Sequence, residues 1–332
     1  MPDPVAEAGQ PPAKAGTRRR IASFVGRGLT NRWTKWSLLG VAVVGGGVAV
    51  ARQRADVGAA VTQIGAGATA AAAALVAVGL LATMQVWRTL LGGLGSPLPV
   101  TAAARVFFVG QLGKYLPGSM WPVVAQMELA HAHQVPRSRT ATAAVLTMAV
   151  SLGAGLVTAA VVLAAGAGAV TERYWWALLG VPVLGLLLRP KVVNAVVGMA
   201  LRVLRRPPLP QPLSGRTIVV SLAWAVASWL LLGAHAWLLS WPLTGSPGGV
   251  AALAVGGFTL AWCLGFLAVV TPAGAGVRDV LLVAILGAQL STGQATAVAV
   301  LSRGLLTAGD LVLAGVTAVA AYLAVRAPGR SR

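Results

Sequence analysis

The chain has 332 residues, 57% of them hydrophobic and only 10% charged. A soluble domain carries about 25% charged residues, so a soluble globular fold is excluded and an all-α integral membrane protein is expected. The net charge of +19, from 26 Lys and Arg against 7 Asp and Glu, calls for no nucleic-acid partner, because basic loops belong on the cytoplasmic side of a membrane, against anionic lipid.

In chain order, residues 1–32 are rich in Pro, Gly and Ala and then basic (Arg18, Arg19, Arg20, Arg27, Arg32), which predicts a disordered basic cytoplasmic tail. A signal peptide is the alternative, since 37–48 is apolar, Ala49-Val50-Ala51 resembles a cleavage site and the twin arginines suit twin-Arg export. The long basic region and the many spans that follow favour an uncleaved first helix. A polytopic membrane domain is expected over 33–325. Its first span is 34–51, with Trp33 and Trp36 as interface anchors, then an outer loop with Arg52, Arg54 and Asp56. A second span over 58–86 ends near Trp87 and Arg88, back in the cytoplasm.

Two apolar pieces follow, 101–116 and 119–133, joined at Pro117-Gly118. A crossing takes about 20 residues, so these pieces predict a re-entrant hairpin, closed on the basic side by Pro136, Arg137 and Arg139. A long span over 140–169 leads through Thr171-Glu172-Arg173 to Tyr174, Trp175 and Trp176 at an interface and a return span to 188. Residues 189–216 form the most basic internal loop (Arg189, Lys191, Arg202, Arg205, Arg206, Arg216), whose middle, 191–205, suits an amphipathic surface helix. Spans are expected at 217–240 and 249–270, a short helix at 277–290, a long span at 293–323 and a basic C-terminal tail over 326–332, with Arg326, Arg330 and Arg332. Counting 277–290 as a crossing gives about eight transmembrane helices with both termini cytoplasmic. Counting it as re-entrant gives seven and moves the basic tail outside, so eight is expected.

Two interruptions organise this apolar sequence. One runs from Gln111 through Lys114, Tyr115, Pro117 and Gly118 to Trp121; the other is Thr271-Pro272-Ala273-Gly274-Ala275-Gly276-Val277-Arg278-Asp279. Proline removes a backbone donor and glycine relaxes the backbone, and freed backbone groups are tolerated in a membrane only beneath protein or a water-filled cavity. Paired breaks in two halves of a chain point to a transporter binding site. The breaks lie about 155 positions apart, and Ala141-Thr142-Ala143-Ala144-Val145-Leu146 is echoed by Ala295-Thr296-Ala297-Val298-Ala299-Val300-Leu301, which allows a two-fold internal repeat, parallel or inverted.

A helix that starts inside a membrane offers unpaired N–H groups and a positive dipole end. Two such starts, after Pro117-Gly118-Ser119 and after Gly274-Ala275-Gly276, joined by Lys114 and Arg278, make an anion site suited to phosphate, with Gln111, Tyr115 and Trp121 adding an amide, a hydroxyl and an amphipathic rim. The alternative is that Lys114 and Arg278 snorkel to headgroups. Arg303, Thr307 and Asp310 share one face of the last span. Buried charges there are either structural pins or substrate contacts, each paired with another helix rather than with one another. Asp279 sits in the first turn of its helix, where the dipole favours it. Glu128, His131 and His133 lack metal-ligand spacing, and His235 beside Trp237 reads as an interface residue. With no phosphate-binding P-loop, zinc-protease signature or nucleophile elbow, neither catalysis nor a cofactor or metal is expected. Cys263, the single cysteine, reads as packing.

The stretch Val109-Gly110-Gln111-Leu112-Gly113-Lys114-Tyr115-Leu116-Pro117-Gly118, with Trp121 and Val123-Val124, resembles the lysylphosphatidylglycerol synthase transmembrane-region family. The second break resembles that family's Pro-Gly-Gly-x-Gly-Val-Arg-Glu-like signature, and the resemblance covers about 100–320. Gln126 departs from it where relatives commonly carry a basic residue, and Asp279 stands for the usual Glu. In multiple peptide resistance factors this region is the flippase half, joined to an aminoacyl-transferase; standalone relatives are linked to glycolipid or polyprenyl-phosphate pathways. With no soluble domain before Arg332, the resemblance implies flippase-like translocation of a phosphate-bearing lipid (aminoacyl-phospholipid or polyprenyl-phosphate-linked) across the cytoplasmic membrane. The alternatives are a non-transporting scaffold for a glycosyltransferase or lipid-modifying enzyme, docked through 189–216, and an enzyme acting on headgroups. Membrane lipids are the expected partners.

Overall fold

The computed structural model describes residues 51, 53–115, 120–166, 189–203, 212–245, 247–267 and 276–326. The tail 1–32, all but the last residue of the span 34–51, the segment 171–188, Arg205, Arg206, Pro117, Gly118, Gly274 and the end beyond Arg326 lie outside the described residues. Among the described residues the regular structure is entirely helical: α1 (Arg54–Gly93), α2 (Val100–Gln111) running into a 3-10 turn (Leu112–Tyr115), α3 (Trp121–His131), α4 (Arg137–Ala165), α5 (Pro190–Val203), α6 (Gly215–Ser240), α7 (Pro247–Leu267), α8 (Val277–Leu286) and α9 (Thr292–Arg326). Helices satisfy every interior backbone group within one segment, which lipid demands. Five of these stretches are long and apolar enough to cross a membrane: Arg54–Gly93, Arg137–Ala165, Gly215–Leu243, Gly248–Leu267 and Thr292–Leu323. They fit a multi-pass membrane protein.

α1 runs past its expected end at 86, to Gly93. Gly95, at φ +83°, lets Gly95 N–H donate to the Gly92 carbonyl and Ser96 N–H to that of Leu91, a left-handed cap that other residues enter at a cost. Trp87 is fully buried and packs on Phe107 with ring centroids 6.1 Å apart, so it is a core residue rather than a boundary marker.

Contacts between helices fix their directions. α6 runs antiparallel to α1, with Thr217 against Gly93, Ser228 donating to the Gly79 carbonyl at 3.0 Å, and Gln63 donating to the Pro242 carbonyl at 2.8 Å. α9 runs parallel to α1, with Gly293 against Asp56 and Gly309 against Val76 and Leu80. α4 starts beside the end of α1, where Arg139 donates to the Gly95 carbonyl at 2.9 Å, and ends where Gly166 meets Ala252 near the start of α7. Arg88, Arg105, Arg137, Arg139, Arg202, Arg216 and Arg326 thus gather at one end of the bundle, whereas the other end carries Arg54 and Asp56. α5 is tied to the basic end by Asn194, whose amide donates to the Leu213 carbonyl at 3.0 Å.

Two antiparallel helix pairs enter this frame from opposite ends. In the first, Gly113 lies against Trp121 and Pro122, Gly110 against Gln126, and Arg105 near His133, so α2 and α3 both have their outer ends at the basic end and their tip inside. In the second, Gly265 lies against Arg278 and Gly257 against Ile285, so α8 folds back along α7 toward the opposite end. Gly155, near the middle of α4, meets Cys263, which sets the inner end of α7 level with the middle of the bundle. At a rise of about 1.5 Å per residue the 10 residues of α8 extend about 15 Å, half of a bilayer core of about 30 Å. The expected helix over 277–290 therefore closes at Leu286 and is too short to cross.

Candidate functional site

Both tips converge on the middle of α9. The first brings Lys114 and Tyr115, which close the 3-10 turn after α2. Lys114 Nζ lies 2.6 Å from Asp310 Oδ2, and the Tyr115 hydroxyl donates to the same oxygen at 2.7 Å. The second tip brings Arg278 and Asp279 in the first turn of α8. Gly276 precedes that turn at φ +88°, and its N–H donates to Asp279 Oδ2 at 3.2 Å. Arg303 of α9 donates to Asp279 Oδ2, and Arg278 Nη2 stands 3.5 Å from Asp279 Oδ1.

Glycine makes this convergence possible. A Cβ on Gly113 would stand 2.8 Å from the backbone of Trp121 and Pro122, and one on Gly110 would stand 2.5 Å from Gln126 Cγ, so any larger residue forces the first pair apart. A Cβ on Gly265 would stand 3.0 Å from Arg278 Cβ.

Asp310 is 3% exposed and Arg278 8%. Charges at that depth are sustained only by partners. Lys114, Arg278 and Arg303 against Asp279 and Asp310 leave the cluster one positive charge in excess among the described residues. Beside it, Val300, Arg303, Gly304, Thr307, Ala308 and Leu311 form a shallow, wide-open groove on one face of α9, walled by that helix alone. The groove is apolar except for Arg303 and Thr307, and Thr307 adjoins the Tyr115 phenol. Such a stripe accepts a charged group near Arg303 while its owner's hydrocarbon lies along the rest.

Lys114, Tyr115, Arg278, Asp279, Arg303 and Asp310 are thus brought together. Gln111 closes α2 half-buried, Trp121 opens α3 and is 49% exposed, and Gly276 shapes the second tip. Pro117, Gly118 and Gly274 lie outside the described residues. Lys114 and Arg278, expected to build an anion site, each rest against a carboxylate. Arg303 and Asp310 each pair across to another element, as their spacing along α9 requires. His235 is not at an interface: it is fully buried, with Nε2 2.8 Å from Ser302 Oγ and its ring 4.8 Å from that of Phe258. Glu128 is engaged by Arg137 through two hydrogen bonds of 2.9 and 2.7 Å at the exposed outer end of α3, and that guanidinium holds its carboxyl below the usual range. Sequence reasoning missed Gly265 and the small residues Gly304 and Ala308, although Gly304 lies four residues from Val300 and Ala308 four from Gly304, on the face that holds Arg303 and Thr307.

Among families of known proteins, the one described as the lysylphosphatidylglycerol synthase TM region matches residues 37–314. No curated protein matches the chain.

Proposed function

The chain belongs to the lysylphosphatidylglycerol synthase transmembrane-region family, and from that premise and the geometry of the site we propose that it moves a phosphate-bearing lipid between the leaflets of the cell membrane. The observation that carries this reading is the meeting of two oppositely directed helix pairs at a largely buried, net-cationic cluster whose Arg303 also lines the shallow groove on α9. Charged clusters at that depth mark substrate paths, and broken helices from two halves of a chain are how transporters build a midplane site. Lys114, Arg278 and Arg303 neutralise the headgroup phosphate, Tyr115 and Gln111 orient it, and the acyl or prenyl chain stays in lipid along Leu311 and Val300. The cargo is an aminoacyl-phospholipid or a polyprenyl-phosphate-linked lipid. No covalent bond is made or broken.

In this reading α2–α3 is a re-entrant hairpin from the cytoplasmic side and α7–α8 one from the outer side. The end of α1, the start of α6 and the end of α9 lie at the basic end, which the positive-inside rule places in the cytoplasm. The repetition of a broken pair followed by a long helix, at α3–α4 and again at α8–α9 about 155 positions on, fits an inverted repeat.

The test is leaflet exchange in liposomes holding the purified full chain, with labelled aminoacyl-phosphatidylglycerol, polyprenyl phosphate and a phosphate-free diacylglycerol. Exchange of a phosphate lipid, lost in Arg278→Ala, is expected; exchange that ignores both phosphate and Arg278 would refute the reading. A scaffold docked through α5, with Arg189, Lys191 and Arg202 exposed, predicts the reverse pattern. Neutralising those three would abolish pathway output, and Lys114→Ala would leave it intact.

A further inference from the structure

The anion seat is already occupied by the protein's own carboxylates. Lys114 and Tyr115, the two polar groups of the first tip that reach α9, both spend themselves on one oxygen of Asp310. A headgroup phosphate that takes the Tyr115 hydrogen and draws Lys114 to itself displaces that carboxylate. Once displaced, Asp310 is a buried charge without its cation, in the middle of α9, whose neighbouring Gly309 packs on Val76 and Leu80 of α1. An uncompensated carboxylate at that depth is far less stable than its neutral acid, so it takes up a proton.

We propose that Asp310 is the counter-ion that the lipid phosphate replaces, and that each phosphate seated on Lys114 brings one proton onto Asp310, so that phosphate and proton move together. This rests on the translocation reading above. The bookkeeping closes: the phosphate oxygen takes the hydrogen bonds of Lys114 and Tyr115, the proton forms an O–H on Asp310, and the cluster keeps its net charge. When the headgroup leaves, the proton leaves and the Lys114–Asp310 pair re-forms. A pH gradient therefore drives the lipid away from the acidic side.

The charged and titratable groups that face this exchange set Asp310 apart. Lys114 and Tyr115 come from the first tip, Arg303 from α9 itself, and Arg278 and Asp279 from α8. His235, from α6, is turned to Ser302 and the Leu232 carbonyl. α2 contributes Arg105 at its outer end, beside His133. Asp279 is held by two arginines and a backbone N–H, so losing one partner leaves it paired. Among the described residues Asp310 pairs with one cation, Lys114, which makes it the carboxylate that must protonate.

The experiment uses the full chain in two settings. In detergent, calorimetric titration with dioctanoyl phosphatidylglycerol, a phosphodiester that does not itself titrate near neutral pH, is repeated in buffers of different ionisation enthalpy to count protons taken up. Inorganic phosphate is titrated in parallel, to separate a free anion from a lipid headgroup. In liposomes, exchange of labelled phosphatidylglycerol is followed with and without a pH gradient. The expected results are uptake of about one proton per lipid bound, on the pKa linkage of a displaced carboxylate, and exchange biased away from the acidic side. Asp310→Asn should bind the lipid with no proton uptake and exchange it without response to the gradient. Asp310→Glu should keep both, and its thermal unfolding reports whether the site folds. Binding without proton uptake in the wild type, or an Asp310→Asn variant that still follows the gradient, would overturn the proposal while leaving translocation standing. Absence of any binding or exchange in well-folded wild type would sink both, and phosphate binding without lipid binding would place a free anion in the seat instead.

Discussion

The two helix pairs that meet on α9 share an architecture and divide the chemistry unequally. α2–α3 comes from the basic end and delivers one lysine and one phenol to a carboxylate that belongs to α9. α7–α8 comes from the opposite end and carries its own carboxylate, Asp279, which caps its own first turn and holds both Arg278 and the Arg303 of α9. Among the described residues the second tip's carboxylate thus holds two arginines, whereas the carboxylate that receives the first tip holds one cation, Lys114, and the Tyr115 hydroxyl. A site built this way has a fixed wall and a releasable one, and the releasable wall is where a headgroup enters.

The largest effect should come from breaking the releasable wall. Lys114→Ala leaves Asp310 buried with Tyr115 alone, a loss on the order of 3 kcal/mol for an unpaired buried charge, read as a clear drop in the unfolding temperature in detergent, together with loss of lipid exchange. Arg278→Ala should abolish exchange as fully but lower the unfolding temperature less, since Asp279 keeps Arg303. Equal destabilisation by the two substitutions would erase the asymmetry. Next come the glycine contacts. Gly113→Ala meets backbone at 2.8 Å and should cost about 1–3 kcal/mol by overpacking, whereas Gly265→Ala meets Arg278 Cβ at 3.0 Å and should cost less. Thermal melts of the two variants make that comparison directly. Tyr115→Phe removes one hydrogen bond to a charged group, about 1.5 kcal/mol, and should weaken lipid binding while retaining slow exchange. Smallest is Glu128→Gln. The Arg137–Glu128 pair is exposed, and such pairs contribute little. Because its carboxyl is held below the usual range, any contribution is complete at neutral pH and fades only in acid, as pH falls through the depressed value. Exchange should be unchanged at neutral pH.

The membrane class and the two breaks were legible because apolar composition and misplaced Pro, Gly and charge are local signals. So was the family, through the residues from Val109 to Gly118. What pairs with what was not. Lys114 and Asp310 meet through tertiary packing, and nothing near either residue names the other. Gly113, Gly110 and Gly265 matter because a backbone passes close by, and no local feature separates them from the rest of the 41 glycines. Trp87 was misplaced because an indole suits a headgroup boundary and a buried core alike; the Gly95 cap that carries α1 beyond it was the better signal. The opposite approach of the two tips depended on whether the expected helix over 277–290 crosses, and composition alone does not place its end at Leu286, which is too early for a crossing.

The most direct measurement holds the releasable wall shut. Tyr115→Cys and Thr307→Cys, on a Cys263→Ser background that removes the only native cysteine, place one thiol on the first tip and one on the groove face of α9. A short, reducible thiol-to-thiol cross-linker should stop exchange of labelled phosphate lipid in liposomes, and reduction should restore it to the rate of the unlinked protein. Exchange that continues unchanged with the cross-link formed would mean that the headgroup does not pass between the first tip and α9.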